Sequence, residues 1–123
     1  MYAVAQNVVV PGLEPAREDG FPFAPAGWSR AEAEAMARIE GLQLTEMHWE
    51  VLCALQEYHA RHEDLGYIQP REWLDALEER FHPEGGVKFL YQLFPRGPLA
   101  QGCRLAGLEP PPGARDHGFG SVM

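Results

Sequence analysis

Apolar residues recur every three or four positions through the middle of the chain, and this spacing is typical of amphipathic helices packed on a core. A capping-box pattern that begins at Ser29 predicts a first helix, and Gly41 ends it. Thr45 is the expected cap of a second helix that runs to about Arg61, and Pro70 suits the first turn of a third. These signals predict a mainly helical protein.

Two further short helices are predicted after the third. Residues 87–94 are too apolar to lie on a surface, and residues 99–106 precede Gly107, which suits a left-handed helix terminator. Five short helices with short loops predict an orthogonal helical bundle, with a helix-turn-helix-like pair between His48 and Phe81. The predicted core consists of large apolar residues on these helices: Trp49, Leu52, Leu55, Trp73, Leu77, Leu90 and Phe94.

The two ends of the chain lack this helical periodicity. The β-branched run at residues 8–10 predicts a small β-hairpin within residues 1–28. Residues 109–123 begin with a run of prolines and are rich in glycine, so we expect a mobile C-terminal arm. The predicted organisation is a single domain over residues 1–123, whose helical core at residues 29–108 lies between the hairpin region and the arm.

Composition and charge narrow the class of protein. The chain has 46% apolar and 23% charged residues, which is ordinary for a globular domain. Its formal net charge of −8 disfavours a nucleic acid partner, because a phosphate backbone would repel it. Its two cysteines are too few for a disulfide-stapled secreted fold. Without a membrane-length apolar run or a basic leader, the sequence predicts a cytoplasmic protein with no membrane span.

The two cysteines are the candidate reactive groups. Cys53 lies among apolar residues of the second helix, so we expect it to be buried and inert. Cys103 lies near the start of the last helix and directly before Arg104, and both features favour the reactive thiolate form of a cysteine. The sequence therefore predicts that Cys103 is the more reactive thiol.

The five histidines do not form a recognisable metal-binding motif. His59 and His62 share one helix face, and His48 lies upstream, but a metal site needs three or four converging ligands. The two neighbouring histidines complement the negative end of their helix without any metal. The glycine-rich segments also lack the spacing of a phosphate-binding loop. We therefore predict neither a metal nor another cofactor.

A series of short motifs along the chain matches one known family. The motifs are Asp-Gly-Phe at 19–21, Trp28, Glu-Gly at 40–41, Leu-Thr-Glu-x-His-Trp-Glu at 44–50, Lys-Phe-Leu-Tyr-Gln-Leu-Phe-Pro-x-Gly-Pro at 88–98 and Gln-Gly-Cys-Arg-Leu-Ala-Gly-Leu at 101–108. In this order and spacing, over about residues 18–113, they resemble the DsrC/TusE family of sulfur-trafficking proteins. The resemblance implies a small helical protein with an N-terminal hairpin and a mobile arm that carries sulfur on cysteine.

The resemblance also implies roles for cysteines in the arm. In the DsrC type, the cysteine nearest the C-terminus accepts sulfur in a partner's active site, and an earlier cysteine forms a disulfide with it. In the TusE type only the last cysteine is kept, and it receives a persulfide in a relay towards tRNA thiolation. Here Cys103 matches the earlier cysteine, Ala114 occupies the acceptor position, and the chain continues to Met123. Asp75 stands where the family usually has a lysine.

This departure from the family pattern leaves three interpretations open. The chain is a divergent carrier that uses Cys103, a docking or regulatory paralogue without sulfur transfer, or an engineered variant with cysteine replaced by Ala114. The rewritten, longer tail favours natural divergence over engineering.

The leading hypothesis from the sequence is a sulfur-trafficking protein, sulfurtransferase-like at most, that docks to its partner through the C-terminal arm. Cys103 would be the remaining arm thiol, and Arg71, Arg96 and Arg104 would hold an anion near it. The expected partner is a sulfite-reductase-like, heterodisulfide-reductase-like or Tus-type protein.

The alternative hypothesis is a non-catalytic regulatory or docking paralogue on the same fold. Binding to DNA is the weaker form of this alternative, because the third helix would face the phosphates with net negative charge.

Overall fold

The computed structural model describes residues 20–65 and 68–114, and these two stretches contain five α-helices and two short 3₁₀ turns. The helices are α1 (Arg30–Ile39), α2 (Glu46–His62), α3 (Pro70–Arg80), α4 (Gly86–Leu93) and α5 (Pro98–Leu105), and the turns are Glu63–Leu65 and His82–Glu84. The described stretches hold no strand, and the β-branched run at residues 8–10 lies outside them. The mainly helical class is confirmed.

The local signals in the sequence place the helix ends correctly. The Ser29 hydroxyl accepts a hydrogen bond from the Glu32 backbone N–H at 3.2 Å and so caps α1. Gly41 follows α1 with a φ of 76°, the left-handed conformation that only glycine adopts at little cost. Pro70 is the first residue of α3, and Gly107, with a φ of 81°, follows α5.

Helix α5 lies at the centre of the bundle and packs against α1, α2, α3 and α4. It lies close to α2 at Gly102, where an added Cβ atom would lie only 2.8 Å from Leu55 Cδ1. Glycine therefore lets the two helices approach closely. The largest fully buried apolar side chains include Leu52, Leu55, Leu90, Phe94 and Leu105.

Six of the seven predicted core residues are buried, and Trp49 is the exception. Its ring is half-buried on α2 and makes an edge-to-face contact with Phe21, with 5.8 Å between ring centroids. The guanidinium carbon of Arg30 lies 4.9 Å from the Trp49 ring centroid, which is a cation–π contact. Trp49 therefore belongs to a surface cluster at the edge of the core.

The first residues of the predicted arm lie against the helical body. Residues 109–114 form no helix or strand, but Pro111 is buried and Ala114 is half-buried against the core. The Ala114 backbone N–H donates to the Pro111 carbonyl at 3.0 Å and closes a turn. Residues 115–123, the rest of the predicted arm, lie outside the described stretches.

None of the helices described here has the length and apolar character needed to cross a membrane.

Candidate functional site

Cys103 is sealed inside the protein. Cys103 lies in α5, and 0% of its surface is exposed to solvent. Burial raises the pKa of its thiol to about 12, because the surrounding apolar groups do not solvate a thiolate. Cys103 is therefore not accessible in the described fold, and its role as the functional thiol stays a prediction. Helix α5 turns the thiol into the core, and the charge of the neighbouring Arg104 is directed to a carboxylate instead.

Cys53 is the more exposed of the two cysteines, which reverses the order expected from the sequence. It is half-buried on α2, and its Sγ lies 3.8 Å from the Gly20 carbonyl oxygen. Partial burial raises the pKa of its thiol, and the nearby positive charge of Arg80 opposes that shift. Neither cysteine therefore has the lowered pKa of a reactive thiol.

Glu40 forms an ionic network that joins the end of α1 to α5. Its carboxylate accepts hydrogen bonds from Arg104 Nε at 3.0 Å and from Arg104 Nη2, also at 3.0 Å. Gln101 Nε2 donates to the same carboxylate at 2.8 Å, and Arg96 Nη1 lies 3.5 Å away. The Glu40 side chain is only 10% exposed, and the Arg104 side chain is 30% exposed, so this network is partly buried.

This network gives Arg96 and Arg104 a structural role. Burial by itself would raise the pKa of Glu40, but the hydrogen bonds from Arg104 and Gln101 outweigh it and hold that pKa below its usual value. The charges of the two arginines are thus engaged by a carboxylate of the same chain. That the two arginines hold an external anion near the arm therefore stays a prediction, and in the described structure both contact Glu40.

His48 is a second buried polar residue that sequence reasoning assigned no role. Its Nδ1 accepts a hydrogen bond from the Thr45 backbone N–H at 3.0 Å, so its proton lies on Nε2, which donates to the Leu93 carbonyl at 2.8 Å. Burial lowers the pKa of His48, and the hydrogen bond to Leu93 partly opposes this. The neutral ring therefore ties the start of α2 to the end of α4.

Two side chains anchor the point where the C-terminal segment leaves α5. Trp28 Nε1 donates to the Leu105 carbonyl at 2.8 Å, and Gln56 Nε2 donates to the Ala106 carbonyl at 2.9 Å. Gly107 packs so closely on Trp28 that a Cβ atom there would lie 2.7 Å from Trp28 Cδ1. The root of the segment is thus held against the helical body by two hydrogen bonds.

The cleft beside Arg71, which we call the Arg71 cleft, is the remaining part of the predicted site. It has a volume of about 320 Å³ and lies between the starts of α3 and α5, where Gly113 and Ala114 also reach it. Arg71 is exposed and forms no ion pair with any residue of the two described stretches. The lining residues are Pro70, Arg71, Leu74, Tyr91, Gly97, Pro98, Leu99, Gly113 and Ala114.

Of the predicted site residues, the structure therefore places only Arg71 near the end of the described C-terminal segment. Cys103 lies in the core, and Arg96 and Arg104 lie at Glu40. The Gln-Gly-Cys-Arg motif lies on α5, where Gln101 and Arg104 donate to Glu40 and Cys103 packs in the core.

The histidines on α2 make local contacts. His62 Nδ1 lies 2.8 Å from the Tyr58 carbonyl oxygen, and the His62 and Tyr58 rings stack with centroids 4.2 Å apart. Within residues 20–65 and 68–114, no group of three or more His, Cys, Asp or Glu side chains is arranged to hold a metal ion.

Several known proteins of one family are similar to this chain. A family model described as DsrC like protein matches residues 14–114, so that the match ends at Ala114. The sulfurtransferase TusE of Pectobacterium atrosepticum is 34% identical over 93 residues, which cover 75% of this chain and 84% of the relative. The TusE of Salmonella typhimurium is 35% identical over 94 residues, with 76% of this chain and 84% of the relative covered.

A solved structure agrees with these sequence matches. The NMR structure of Allochromatium vinosum DsrC is similar to this chain with a TM-score of 0.58 at 35% identity, and the match covers 74% of this chain and 83% of that one. The chain belongs to the DsrC/TusE family, whose role is that of sulfur carriers and sulfurtransferases.

Proposed function

We propose that this chain is a docking or regulatory member of the family, which binds a sulfur-relay protein through its C-terminal segment without carrying sulfur itself. The observation that supports the proposal is the burial of Cys103, whose thiol has a pKa of about 12. The printed sequence has only two cysteines, and Ala114 occupies the position of the family's acceptor. A persulfide forms by attack of an accessible thiolate, and Cys103 offers none in the folded protein.

The features that would recognise a partner lie around the end of the C-terminal segment. Residues 113 and 114 line the Arg71 cleft, so a protein that grips this segment would also meet the Arg71 guanidinium. The partner classes are those expected of the family: a sulfite-reductase-like, a heterodisulfide-reductase-like or a Tus-type protein. A net charge of −8 favours a partner with a basic surface.

The surface of α3 supports a protein partner over DNA. Glu72, Asp75 and Glu79 are all exposed on this helix, which would be the reading helix of a helix-turn-helix. Three exposed carboxylates would repel the phosphates on both sides of a DNA groove.

The test is a binding titration with purified candidate partners of the three classes, taken from the same organism. We compare the full chain, a chain that lacks residues 109–123, and a Cys53→Ser, Cys103→Ala variant whose fold is first checked by circular dichroism. We expect one candidate to bind the full chain and the cysteine-free variant equally well. Removal of residues 109–123 is expected to weaken that binding at least tenfold, a change of about 1.4 kcal/mol.

The opposite pattern would contradict the proposal. If the cysteine-free variant is folded but no longer binds, or if the complex is joined by a disulfide to Cys103, the chain is a carrier and its thiol must open to the partner.

A further inference from the structure

Helix α1 presents large apolar side chains to solvent. The helix packs on α5, and its buried residues are Ala33 and Ala37. Met36 and Ile39 are two of the three large apolar side chains that are exposed in the described stretches, and Ile39 is 85% exposed. A partner that covers this outer face would therefore gain free energy from the burial of apolar surface.

The outer face of α1 combines a protruding side chain with two short ones. Ala31, Ala35 and Ile39 follow one another at intervals of four residues, so they lie along one line on the helix. A side chain of a second helix can enter between Ala31 and Ala35, because both are short. One copy of α1 thus offers both a knob, Ile39, and a hole that could receive it.

Two opposite charges lie on one flank of this line. Glu34 and Arg38 are both exposed, and both line the cleft on that side of α1. Neither residue forms an ion pair within residues 20–65 and 68–114. Both charges are therefore available to a partner that covers the outer face.

We propose that α1 is a self-association surface, on which two copies of this chain pair their α1 helices antiparallel about a two-fold axis. If the axis is level with Met36, each residue faces the position equally far on the other side of Met36 in the second copy. Glu34 of each copy then faces Arg38 of the other, on the same flank. Two opposite-charge pairs form by symmetry, which is the charge complementarity that favours a second copy as the occupant.

The same alignment also seats the protruding side chain. It places Ile39 of each copy level with position 33 of the second copy, which lies between Ala31 and Ala35. A single register thus satisfies the charges and the packing together. This inference goes beyond the proposed function, because it concerns a different face from the Arg71 cleft.

The expected dimer is weak. Two ten-residue helices bury much less than the roughly 1,200–2,000 Å² of a stable interface, and a net charge of −8 on each copy opposes the approach. The ion pairs are exposed, so they select the register more than they add affinity. We therefore expect a dissociation constant of about 0.1–1 mM.

The test is sedimentation velocity of the full chain under reducing conditions, at concentrations from about 0.02 to 1 mM. We expect the unchanged chain to shift from monomer towards dimer over this range. Glu34→Arg or Arg38→Glu alone places like charges opposite each other, so each should weaken the dimer at least about tenfold. An equimolar mixture of these two variants restores both opposite-charge pairs, and it should dimerise as the unchanged chain does.

Glu79→Arg is the matched control, because it makes the same change of charge at an exposed position of α3, and it should not weaken the dimer. Ile39→Asp removes the knob and should weaken the dimer at least about tenfold. An unchanged chain that stays monomeric at about 1 mM overturns the proposal and leaves the face to another occupant, either residues 1–19 of the same chain or a different protein. A dimer that survives in Ile39→Asp overturns the surface, and a mixture of the two charge variants that fails to dimerise overturns the antiparallel pairing.

Discussion

Helix α5 and the Arg71 cleft both contain an arginine close to the family's sulfur positions, but they differ in what surrounds it. In α5, Arg104 forms two hydrogen bonds with Glu40, and the neighbouring Cys103 is fully buried. In the cleft, Arg71 is exposed, and Ala114 is half-buried beside it.

The difference shows that an arginine next to a cysteine in sequence does not by itself make a reactive site. The guanidinium must also lie near the thiol, and the thiol must be accessible to solvent. The Arg104 guanidinium next to Cys103 pairs with Glu40, and core packing excludes water from the Cys103 thiol. The Arg71 cleft has the charge and the access, but it has no sulfur. The two requirements of a sulfur carrier are thus separated in this chain.

The strongest way to test this separation is to place a thiol in the cleft with Ala114→Cys, in a Cys53→Ser background. Because the new thiol would be half-buried in the same cleft that Arg71 lines, its pKa should be near or below the ordinary value of about 8.5. Compared with Cys103, whose thiol pKa is about 12, we expect native-state labelling by iodoacetamide to be faster by about 10³-fold or more. Mass spectrometry of the labelled peptides gives both rates.

Adding Arg71→Gln to this variant is the control for the charge, and it should slow the labelling of the new thiol. If the introduced cysteine reacts as slowly as Cys103, the cleft is not accessible in the way the comparison requires.

The second test breaks the Glu40 network with Glu40→Gln. The substitution leaves two partly buried guanidinium groups without their carboxylate, so we expect the free energy of unfolding to fall by about 3 kcal/mol. Glu57→Gln is the matched control, because Glu57 pairs with Arg61 and Arg80 at the surface, and it should cost less than about 1 kcal/mol. Urea denaturation measures both. Equal losses in the two variants would show that the Glu40 network is no more important than a surface pair.

The third test uses pH to probe the interior. The folded pKa of His48 lies below its ordinary value of 6.5, so between these two values the unfolded chain binds more protons than the folded one. The contribution of neutral His48 to the free energy of unfolding is thus complete above pH 6.5. It is lost as the pH falls towards the folded pKa, by at most about 1.4 kcal/mol per pH unit. Urea denaturation at several pH values should show a shallower dependence in His48→Gln. If the pH dependence of the free energy of unfolding is the same in His48→Gln, protonation of His48 does not destabilise the folded chain.

The smallest expected effect belongs to Arg71. Since it is exposed and without an ion pair in the described part of the chain, Arg71→Gln should change the free energy of unfolding by less than about 0.5 kcal/mol. A loss similar to that of Glu40→Gln would identify Arg71 as a structural residue and remove the contrast between the two regions.

The helices could be predicted from the sequence because their signals are local. The Ser29 cap, the left-handed Gly41 and the proline that begins α3 each act within a few residues, and the structure confirms all three. The Glu40 network could not be predicted in this way, since Glu40 and Arg104 are far apart in sequence and meet only after α1 packs on α5.

The same limit explains why the burial of Cys103 could not be predicted from the sequence. Its neighbours in sequence are a glycine and an arginine, which are typical of an exposed position. Its neighbours in space are the core residues that α5 packs against, because Gly102 lets α2 approach so closely. By contrast, only the resemblance assigns Ala114 to the acceptor position, and only the structure shows that Ala114 lines the Arg71 cleft.

The central claim, that the folded chain offers no thiol at Cys103 for sulfur, is tested most directly by intact-mass spectrometry. The native Cys53→Ser variant is incubated with a persulfide donor, with Cys53→Ser, Cys103→Ser as the blank and a TusE relative as the positive control. We predict no increase in mass for the native variant under conditions that load the relative, and an increase of about 32 Da per added sulfur only after unfolding. A native Cys53→Ser chain that gains this mass at Cys103 would contradict the account and restore Cys103 as a sulfur carrier.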